Sequence, residues 1–336
     1  MQPLAVTMGE PAGIGAEITL AAWTRLRADG PRFVLLDDAD RVAALAARIG
    51  SAAPVRKVAS MAEGAAAFAS ALPVLHRPLP APVTMGRPDA ANAGAVIAAI
   101  EEAVALTRAG EAASVVTNPI QKAVLTRAGF PHPGHTEFLA ALAGPEVKPV
   151  MMLACPGLRT VPVTVHLPLR VAIDRLTTEA IVVTARIVNA ALRDDFGIAL
   201  PRLAIAGLNP HAGENGTLGE EDAAIAAPAV AALRAEGIAA TGPHPTDTLF
   251  TPHARATYDA ALCLTHDHAM IPVKTLDMDG GVNVTLGLPF VRTSPDHGTA
   301  LDIAGTGRAA PGSLIAAMRM AAEMAANRQM RARSAA

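Results

Sequence analysis

Residues 265–307 read THDHAMIPVKTLDMDGGVNVTLGLPFVRTSPDHGTALDIAGTG, a dense set of His, Asp, Lys and Arg side chains among glycines, prolines and short apolar runs. Apolar runs such as VNVTLGLPFV are typical of short buried strands, which would hold the polar residues at strand ends and turns. A solvated surface differs, because its charged residues are interspersed with Lys and Glu at helical spacing. We interpret this stretch as the floor of an active site.

Strand-like and helical segments alternate along the rest of the chain. The pattern begins with a strand at residues 4–7 and a helix at about 16–28, and it repeats at 32–36 and 40–49. Further strands are predicted at 114–117, 150–153, 160–165, 203–206 and 261–264, and further helices at 89–108, 178–194, 220–236 and 310–326. Such alternation is typical of an α/β protein with a largely parallel sheet and helices on both faces.

The length of the chain, 336 residues, exceeds what a single core usually requires. We therefore predict two interleaved α/β subdomains around a cleft, which together form one catalytic chain over residues 1–330. The arginine-rich end, residues 327–336, is predicted to be a flexible tail.

Composition excludes several classes of function. Hydrophobic residues make up 51% and charged residues 17%, which suits a large core and argues against disorder. The formal net charge of -2 provides no electrostatic footprint for nucleic acid or for an anionic membrane. The N-terminal residues lack the pattern of a signal peptide, and no uninterrupted apolar run reaches the length of a membrane span. We expect a soluble cytoplasmic protein, with Cys155 and Cys263 as buried, reduced thiols.

Three histidines each follow a predicted buried strand: His166 after TVPVTV, His211 after LAIAGLNP and His266 after ALCLT. The carboxyl ends of parallel strands lie at one edge of a sheet, so these side chains can converge. Neutral imidazole is a common ligand of divalent transition metals. We therefore favour a metal site, the alternative being three separate hydrogen-bonded histidines. Asp247 and Asp267 are candidates for orienting the ligands or for proton transfer.

A second group of residues is suited to binding anions. Lys274, Asn283 and Arg292 lie in one glycine-rich segment, and the run GHTEF supplies His135 and Thr136. Thr136 is followed by a helical run and is predicted to cap that helix, with backbone N–H groups facing an anion. A small substrate with both a carboxylate and a phosphate would use two such positions. The alternative, that Lys274 and Arg292 are surface residues, stays open.

The run GEPAGIG at residues 9–15 favours a tight strand-to-helix turn, because its glycines lack the GxGxxG spacing. No GxGxxG follows a strand elsewhere, and no Walker A, GxSxG, HExxH or CxxC run is present. Any dinucleotide must therefore be bound by a different device.

Longer runs resemble one family. They are GEPAGIG, TNPIQK, GHTEFL, VHLPLR, GLNPHAGE, DTLF, HDH and GVNVTLGLPFVRTSPDHGTALDIAG, and they extend from residue 9 to about residue 307. These runs are similar to those of the 4-hydroxythreonine-4-phosphate dehydrogenase family, PdxA, of the vitamin B6 pathway. The resemblance implies the fold of isocitrate and isopropylmalate dehydrogenases, which bind NAD without a GxGxxG run.

The resemblance also implies roles for individual residues. His166, His211 and His266 become the ligands of one divalent ion (Zn²⁺, Mg²⁺, Co²⁺ or Mn²⁺). The implied substrate contacts are His135, Thr136, Lys274, Asn283 and Arg292; the catalytic candidates are Asp247, Asp267 and Lys274; and the contacts to NAD or NADP are His297, Gly298, Asp302 and Ile303. A homodimer with its active site at the subunit interface is implied as well.

One local departure concerns the third histidine. The family commonly reads YHDQ there, whereas this chain has Thr265 in place of the Tyr and His268 in place of the Gln. We favour His268 as a polar replacement, the alternative being a contact to metal or nicotinamide.

The implied reaction is the metal-assisted oxidation of 4-phosphooxy-L-threonine to 2-amino-3-oxo-4-phosphooxybutanoate, which loses CO₂ to give 3-amino-2-oxopropyl phosphate. A paralogous dehydrogenase for a phosphorylated four-carbon sugar acid, 4-phosphoerythronate or phosphothreonate, is the main alternative. A metal-dependent lyase or hydrolase without NAD and a non-catalytic phosphosugar-binding protein are more distant alternatives.

Overall fold

The computed structural model of the chain describes residues 2–132 and 134–335. The strands, in chain order, are β1 (Leu4–Thr7), β2 (Phe33–Asp37), β3 (Val55–Val58), β4 (Leu72–His76), β5 (Val115–Thr117), β6 (Val150–Cys155), β7 (Leu158–Pro162), β8 (Arg202–Ala206), β9 (Ala239–His244), β10 (Ala260–Cys263), β11 (Val282–Leu286) and β12 (Arg292–Pro295). The helices are α1 (Gly15–Leu26), α2 (Ala39–Arg48), α3 (Met61–Ala67), α4 (Ala93–Arg108), α5 (Lys122–Arg127), α6 (His135–Ala143), α7 (Leu169–Arg175), α8 (Thr178–Asp194), α9 (Ala227–Ala235), α10 (Thr246–Leu249), α11 (Pro252–Arg255), α12 (His266–Leu276) and α13 (Gly312–Ala335).

Two compact units divide the chain, and neither is continuous in sequence. Unit 1 comprises Met1–Pro149 and Leu288–Gln329, and unit 2 comprises Val150–Gly287 and Met330–Ala336. The candidate site residues are therefore divided between two separate scaffolds.

In unit 1 the strand order is β3-β4-β2-β1-β5-β12, and the pairings between these neighbouring strands are parallel. Helix α4 packs on this sheet through an apolar face that includes Val96, Ile100 and Val104. The predicted α/β class with a largely parallel sheet is confirmed here.

In unit 2 the strand order is β11-β6-β7-β10-β8-β9. Strand β6 is antiparallel to both of its neighbours, whereas β7, β10, β8 and β9 pair in parallel. A core that includes Leu153, Ala261 and Val273 lies under α12. Because these four parallel strands lie side by side, their carboxyl ends share one edge, which is where ligands bind in such sheets.

The last helix departs from the sequence prediction. Most of the segment predicted to be a flexible tail, 327–336, is helical, because α13 continues through Ala335. Arg331 Nε lies 2.8 Å from Asp194 Oδ1, so the arginine-rich end makes an ion pair. Its flexibility stays a prediction.

One segment, Ala90–Arg108, is long and apolar enough to cross a membrane by length and composition, although no uninterrupted apolar run within it reaches that length. It contains α4, whose buried side chains pack in the core of unit 1. The core helix of an α/β unit meets the same criterion, so this segment does not indicate a membrane protein.

A buried ion pair connects β2 to the turn between β1 and α1. Asp37 is fully buried, and Arg41 donates to its two carboxylate oxygens from Nε at 2.6 Å and from Nη2 at 2.5 Å. The third donor, Arg41 Nη1, reaches the carbonyl of Pro11 at 3.0 Å. Burial raises the pKa of Asp37, and the guanidinium of Arg41 partly offsets this effect. Arg41 thus holds the turn in place through its bond to Pro11, while Asp37 neutralises the charge of its guanidinium.

We predict that Arg41→Ala lowers the free energy of unfolding by roughly 3–5 kcal/mol, because it leaves the Asp37 carboxylate buried without its partner. Arg25→Ala, on the exposed face of α1, is the control and should change stability by less than about 0.5 kcal/mol. Denaturant titration measures both values. Equal losses in the two variants would contradict this role for the ion pair.

Candidate functional site

The three candidate metal-binding histidines follow three adjacent parallel strands of unit 2. His166 comes after β7, His266 after β10 and His211 after β8, and the sheet order places β10 between the other two. The local prediction needs one correction, because β7 ends at Pro162 and His166 lies in the following loop. His266 is the first residue of α12.

Two of these imidazole rings lie close together. The ring centroids of His166 and His266 are 5.6 Å apart, with an interplanar angle of 42°. His266 Nδ1 lies 2.8 Å from Asp267 Oδ1, which orients this ring and leaves Nε2 available. Asp267 therefore occupies the position of a carboxylate that holds a ligand.

The third histidine lies in a left-handed turn. Five consecutive residues from His211 to Asn215 have positive φ, with values of 54° at His211 and 57° at Asn215. His166 also has a positive φ of 53°. Each such residue other than glycine costs roughly 1–2 kcal/mol, and strain of this kind concentrates at functional sites.

A buried carboxylate supports this turn at its base. Asp222, only 1% exposed, accepts hydrogen bonds from the backbone N–H of Leu208 at 2.7 Å and of Asn209 at 2.9 Å. The side chain of Asn209 donates to Glu221 Oε2 at 2.9 Å. These contacts fix the approach to His211, which lies in a short left-handed helical turn, Pro210–Gly216.

A pocket of about 510 Å³ opens beside His211 and is lined by Asp247, Asp267 and His268 among others. Asp247 is exposed and lies on the short helix α10. Burial lowers the pKa of His268, whose Nδ1 is buried with no hydrogen-bond partner in the described part of the chain. The pocket thus combines carboxylates with a neutral imidazole.

Lys274 and Asn283 lie elsewhere in unit 2. Lys274 is on α12, on the same helical face as His266, and Asn283 is on β11. Both side chains are half-buried, and both make interactions within the protein. Half-burial leaves open the alternative that Lys274 is a surface residue.

Unit 1 contains a cluster of basic side chains around His135. Arg292, only 3% exposed, donates from Nη2 to Thr117 Oγ1 at 2.6 Å. Burial lowers the pKa of Arg292 to about 10. The pKa of His135 is lowered well below its usual value by burial and then by the charges of Arg292 and Lys122. His135 Nε2 is buried and has no hydrogen-bond partner among the described residues.

The N-terminus of α6 belongs to this cluster, but the residue that caps it is not the predicted one. Thr136 is not the cap: the N-cap is Gly134, which has no side chain to offer. The Nζ of Lys122 lies 3.2 Å from the position that a Cβ on Gly134 would take. An ammonium group therefore stands beside the uncapped N–H groups of a helix start, an arrangement that favours anions.

Lys122 is the residue that sequence reasoning missed. It ends the run TNPIQK, to which the sequence assigns no role beyond its similarity to the family. Its place beside Gly134 follows from tertiary packing, so spacing along the chain carried no signal for it.

The four candidate cofactor contacts, His297, Gly298, Asp302 and Ile303, occupy one segment of turns after β12. His297 Nδ1 lies 3.0 Å from the carbonyl of Gly298, whereas its Nε2 is buried and unpartnered within the described residues. Asp302 is exposed. This segment offers a ring nitrogen that still needs a partner.

A tighter acidic group lies elsewhere in unit 1. Within residues 2–132 and 134–335, three candidate ligand atoms come within 4.8 Å of one another only at Asp38, Asp40 and His76. Asp38 is the N-cap of α2, His76 Nδ1 accepts from Ala39 N–H, and Lys57 pairs with Asp40. These atoms already have partners, so this group is explained by helix capping. His166, His211 and His266 do not form such a closed group in the isolated chain.

The pattern of the family described as pyridoxal phosphate biosynthetic protein PdxA matches residues 31–321. The 4-hydroxythreonine-4-phosphate dehydrogenase of Methylorubrum populi is 59% identical over 332 residues, covering 96% of this chain and 95% of that protein. The protein of the same name from Bradyrhizobium diazoefficiens is 56% identical, with 97% of each chain covered.

Solved structures agree. The 4-hydroxythreonine-4-phosphate dehydrogenase of Klebsiella pneumoniae superposes with a TM-score of 0.86 at 38% identity, covering 97% of this chain and 100% of that one. A terephthalate 1,2-cis-dihydrodiol dehydrogenase from Burkholderia xenovorans has a TM-score of 0.65 at 29% identity, covering 96% and 98%. The sequence match over most of its length and the agreement in fold lead to one conclusion: this chain belongs to the PdxA family.

Proposed function

We propose that this chain oxidises 4-phosphooxy-L-threonine with NAD or NADP, giving 2-amino-3-oxo-4-phosphooxybutanoate, which loses CO₂ to form 3-amino-2-oxopropyl phosphate. The observation that carries the proposal is the row of histidines after β7, β10 and β8. Membership of a family whose relatives are named as dehydrogenases supports it. A cytoplasmic location is part of the proposal.

The histidine donors fit a divalent ion by their chemistry. Asp267 hydrogen-bonds His266, and a carboxylate in this position commonly orients an imidazole that binds a metal. The positive φ at His166 and His211 is backbone strain of the kind found at ligand sites. Imidazole suits Zn²⁺, Co²⁺ or Mn²⁺, and Mg²⁺ would need additional water ligands. Such an ion would supply a Lewis acid that lowers the pKa of the substrate hydroxyl.

Two acidic residues and one lysine are the proposed catalytic groups. Asp247 is exposed in the pocket beside His211, so it is the proposed acceptor of the hydroxyl proton. Asp267 is engaged with His266 and holds that ring. Lys274, on the same face of α12, supplies positive charge for the enolate that decarboxylation leaves.

The anionic groups of the substrate are the proposed partners of Lys274, Asn283, His135, Thr136 and Arg292, to which we add Lys122. A phosphate suits the cluster of basic side chains in unit 1, because guanidinium, ammonium and helix N–H groups all bind phosphate oxygens. This cluster favours a phosphorylated substrate over a ring diol that carries no phosphate. It does not distinguish the threonine compound from a phosphorylated sugar acid.

The adenosine half of NAD is proposed to lie on the segment from His297 to Ile303. The unpartnered Nε2 of His297 fits this role, because a buried ring nitrogen is costly without a hydrogen-bond partner. Bound there, the dinucleotide supplies the hydride acceptor.

A homodimer is proposed as the working form. Large apolar side chains are exposed near the histidines: Leu169 at 64% in the helix after His166, and Ile271 at 61% in the pocket beside His211. Exposed apolar surface next to a functional site is consistent with coverage by a second copy.

The proposed reaction is tested by NADH formation from 4-phosphooxy-L-threonine, with and without a chelator, beside 4-phosphoerythronate. We expect turnover that prefers the threonine compound, that the chelator abolishes and that a divalent ion restores. Preference for the sugar acid would instead assign the chain to the paralogous activity. Absence of NADH from both substrates with metal restored would exclude a dehydrogenase of this class and leave the lyase, hydrolase or binding alternatives.

The role of Lys122 is tested by Lys122→Gln. Removing one charged contact to the phosphate should lower kcat/KM for the phosphorylated substrate by roughly tenfold or more. Lys148→Gln is the matched control, since Lys148 is exposed in the same unit. The ratio of activities on phosphorylated and unphosphorylated substrate separates a lost phosphate contact from a general defect. An unchanged ratio would contradict the assignment.

The protonation of His135 is tested by NMR titration of its ring. We expect a pKa well below the usual 6.5, because burial and the charges of Arg292 and Lys122 disfavour the cation. On acidification the unfolded chain then takes up the proton first, so this contribution to stability is present above pH 6.5 and is lost as pH falls toward the pKa of the folded protein. Bound phosphate should raise that pKa, as should Arg292→Gln. A ring that titrates at its usual pKa in the ligand-free protein would refute this picture.

A further inference from the structure

A buried glutamate joins the first helix of unit 1 to the segment after β12. Glu17, in the first turn of α1, is 2% exposed. Its two oxygens accept hydrogen bonds from the backbone N–H of Gly305 at 2.8 Å and of Ala309 at 3.2 Å. An ionised carboxylate that accepts from backbone amides forms charge-assisted bonds, which are stronger than neutral ones.

A second attachment holds the start of the same segment. The N–H of Ile14 donates to the carbonyl of Thr299 at 3.1 Å. Gly13 permits this approach, since a Cβ there would lie 3.0 Å from the Thr299 oxygen. The turn at residues 9–15, which the sequence suggested was only a connection between β1 and α1, is therefore also a support for residues 299–309.

Between its two attachments the segment is held by local turn hydrogen bonds, from Ile303 N–H to the Ala300 carbonyl at 3.2 Å and from Thr306 N–H to the Ile303 carbonyl at 3.3 Å. It consists of turns, with φ of 41° at Ala300 and 74° at Gly305. Asp302 is exposed, and Ile303 is half-buried. These turn bonds are local and residues 299–309 lie outside the strands, so the placement of the segment depends on where its ends are held.

We propose that Glu17 is a positioning residue for the dinucleotide. By accepting hydrogen bonds from the N–H groups of Gly305 and Ala309, it fixes the conformation of the loop that carries Asp302 and Ile303. This inference rests on the proposed function, which places the adenosine half of NAD on that loop. Glu17 itself does not touch the cofactor. Its contribution is to keep the loop ordered before binding, so that less ordering free energy opposes NAD association.

The test is Glu17→Gln in the full-length protein. A glutamine offers one acceptor oxygen, and its NH₂ group faces the second amide as another donor, so one of the two bonds is lost. We expect roughly tenfold weaker NAD binding by calorimetry. Hydrogen–deuterium exchange should be faster in peptides covering residues 299–309 and unchanged in unit 2.

Glu10→Gln is the matched control. Glu10 is also buried, at 4%, but its side chain accepts from Ala12 N–H within its own turn. Glu17→Asp is the second variant should the glutamine variant fold poorly: it keeps the charge, is one methylene shorter and should weaken binding by a smaller factor.

The outcomes separate this inference from the proposed function. If the wild-type protein binds no NAD, the proposed cofactor role fails and this inference fails with it. If the wild-type protein binds NAD and the folded Glu17 variants bind it equally well, positioning by Glu17 is overturned while the proposed function stands. Equal weakening in Glu10→Gln would also overturn it, because the effect would then be a general loosening of the turn.

Discussion

Buried carboxylates that accept two backbone N–H groups are the interaction on which both candidate sites depend. In unit 2, Asp222 holds the amides of Leu208 and Asn209 ahead of His211. In unit 1, Glu17 holds those of Gly305 and Ala309. The functional residues lie in loops, where backbone amides have no ladder partner and would be costly to bury alone. A carboxylate satisfies two amides at once, so each loop acquires a defined shape without becoming a helix or a strand.

The two units apply electrostatics in different ways. The pocket of unit 2 is lined by carboxylates beside imidazoles, a set suited to a cation. In unit 1 burial, and after it the charges of Arg292 and Lys122, lower the pKa of His135. Burying positive charge costs free energy, and a bound anion returns part of that cost by favouring the charged forms. The same contacts that disfavour protonation of His135 in the free protein would therefore strengthen binding of a phosphate.

Much of the architecture could be predicted from the sequence, because strand and helix signals alternate strongly. The bounds of β1 and α8 match their predictions. Predictions failed where tertiary contacts override local pattern. The apolar run through Val165 continues past Pro162, but only its first part pairs with β10, so His166 lies in a loop. Thr136 has the right chemistry for an N-cap, yet the helix begins one residue after Gly134. Local composition does not determine which residue of a polar run caps a helix or ends a strand, because tertiary contacts decide it.

The left-handed turn at His211 is the feature furthest from sequence reasoning. Of its five residues only Gly213 adopts positive φ without steric cost. Histidine, alanine and glutamate disfavour that region, so their propensities predict a different backbone. Contacts outside the turn must therefore impose it, and the hydrogen bonds that Asp222 and Glu221 accept at its base are among them. Such strain persists only where the surroundings over-determine it. A turn with relaxed backbone angles would change the position of the His211 side chain relative to the edge where β7, β10 and β8 end. The strained backbone is therefore explained by the position that it gives to His211.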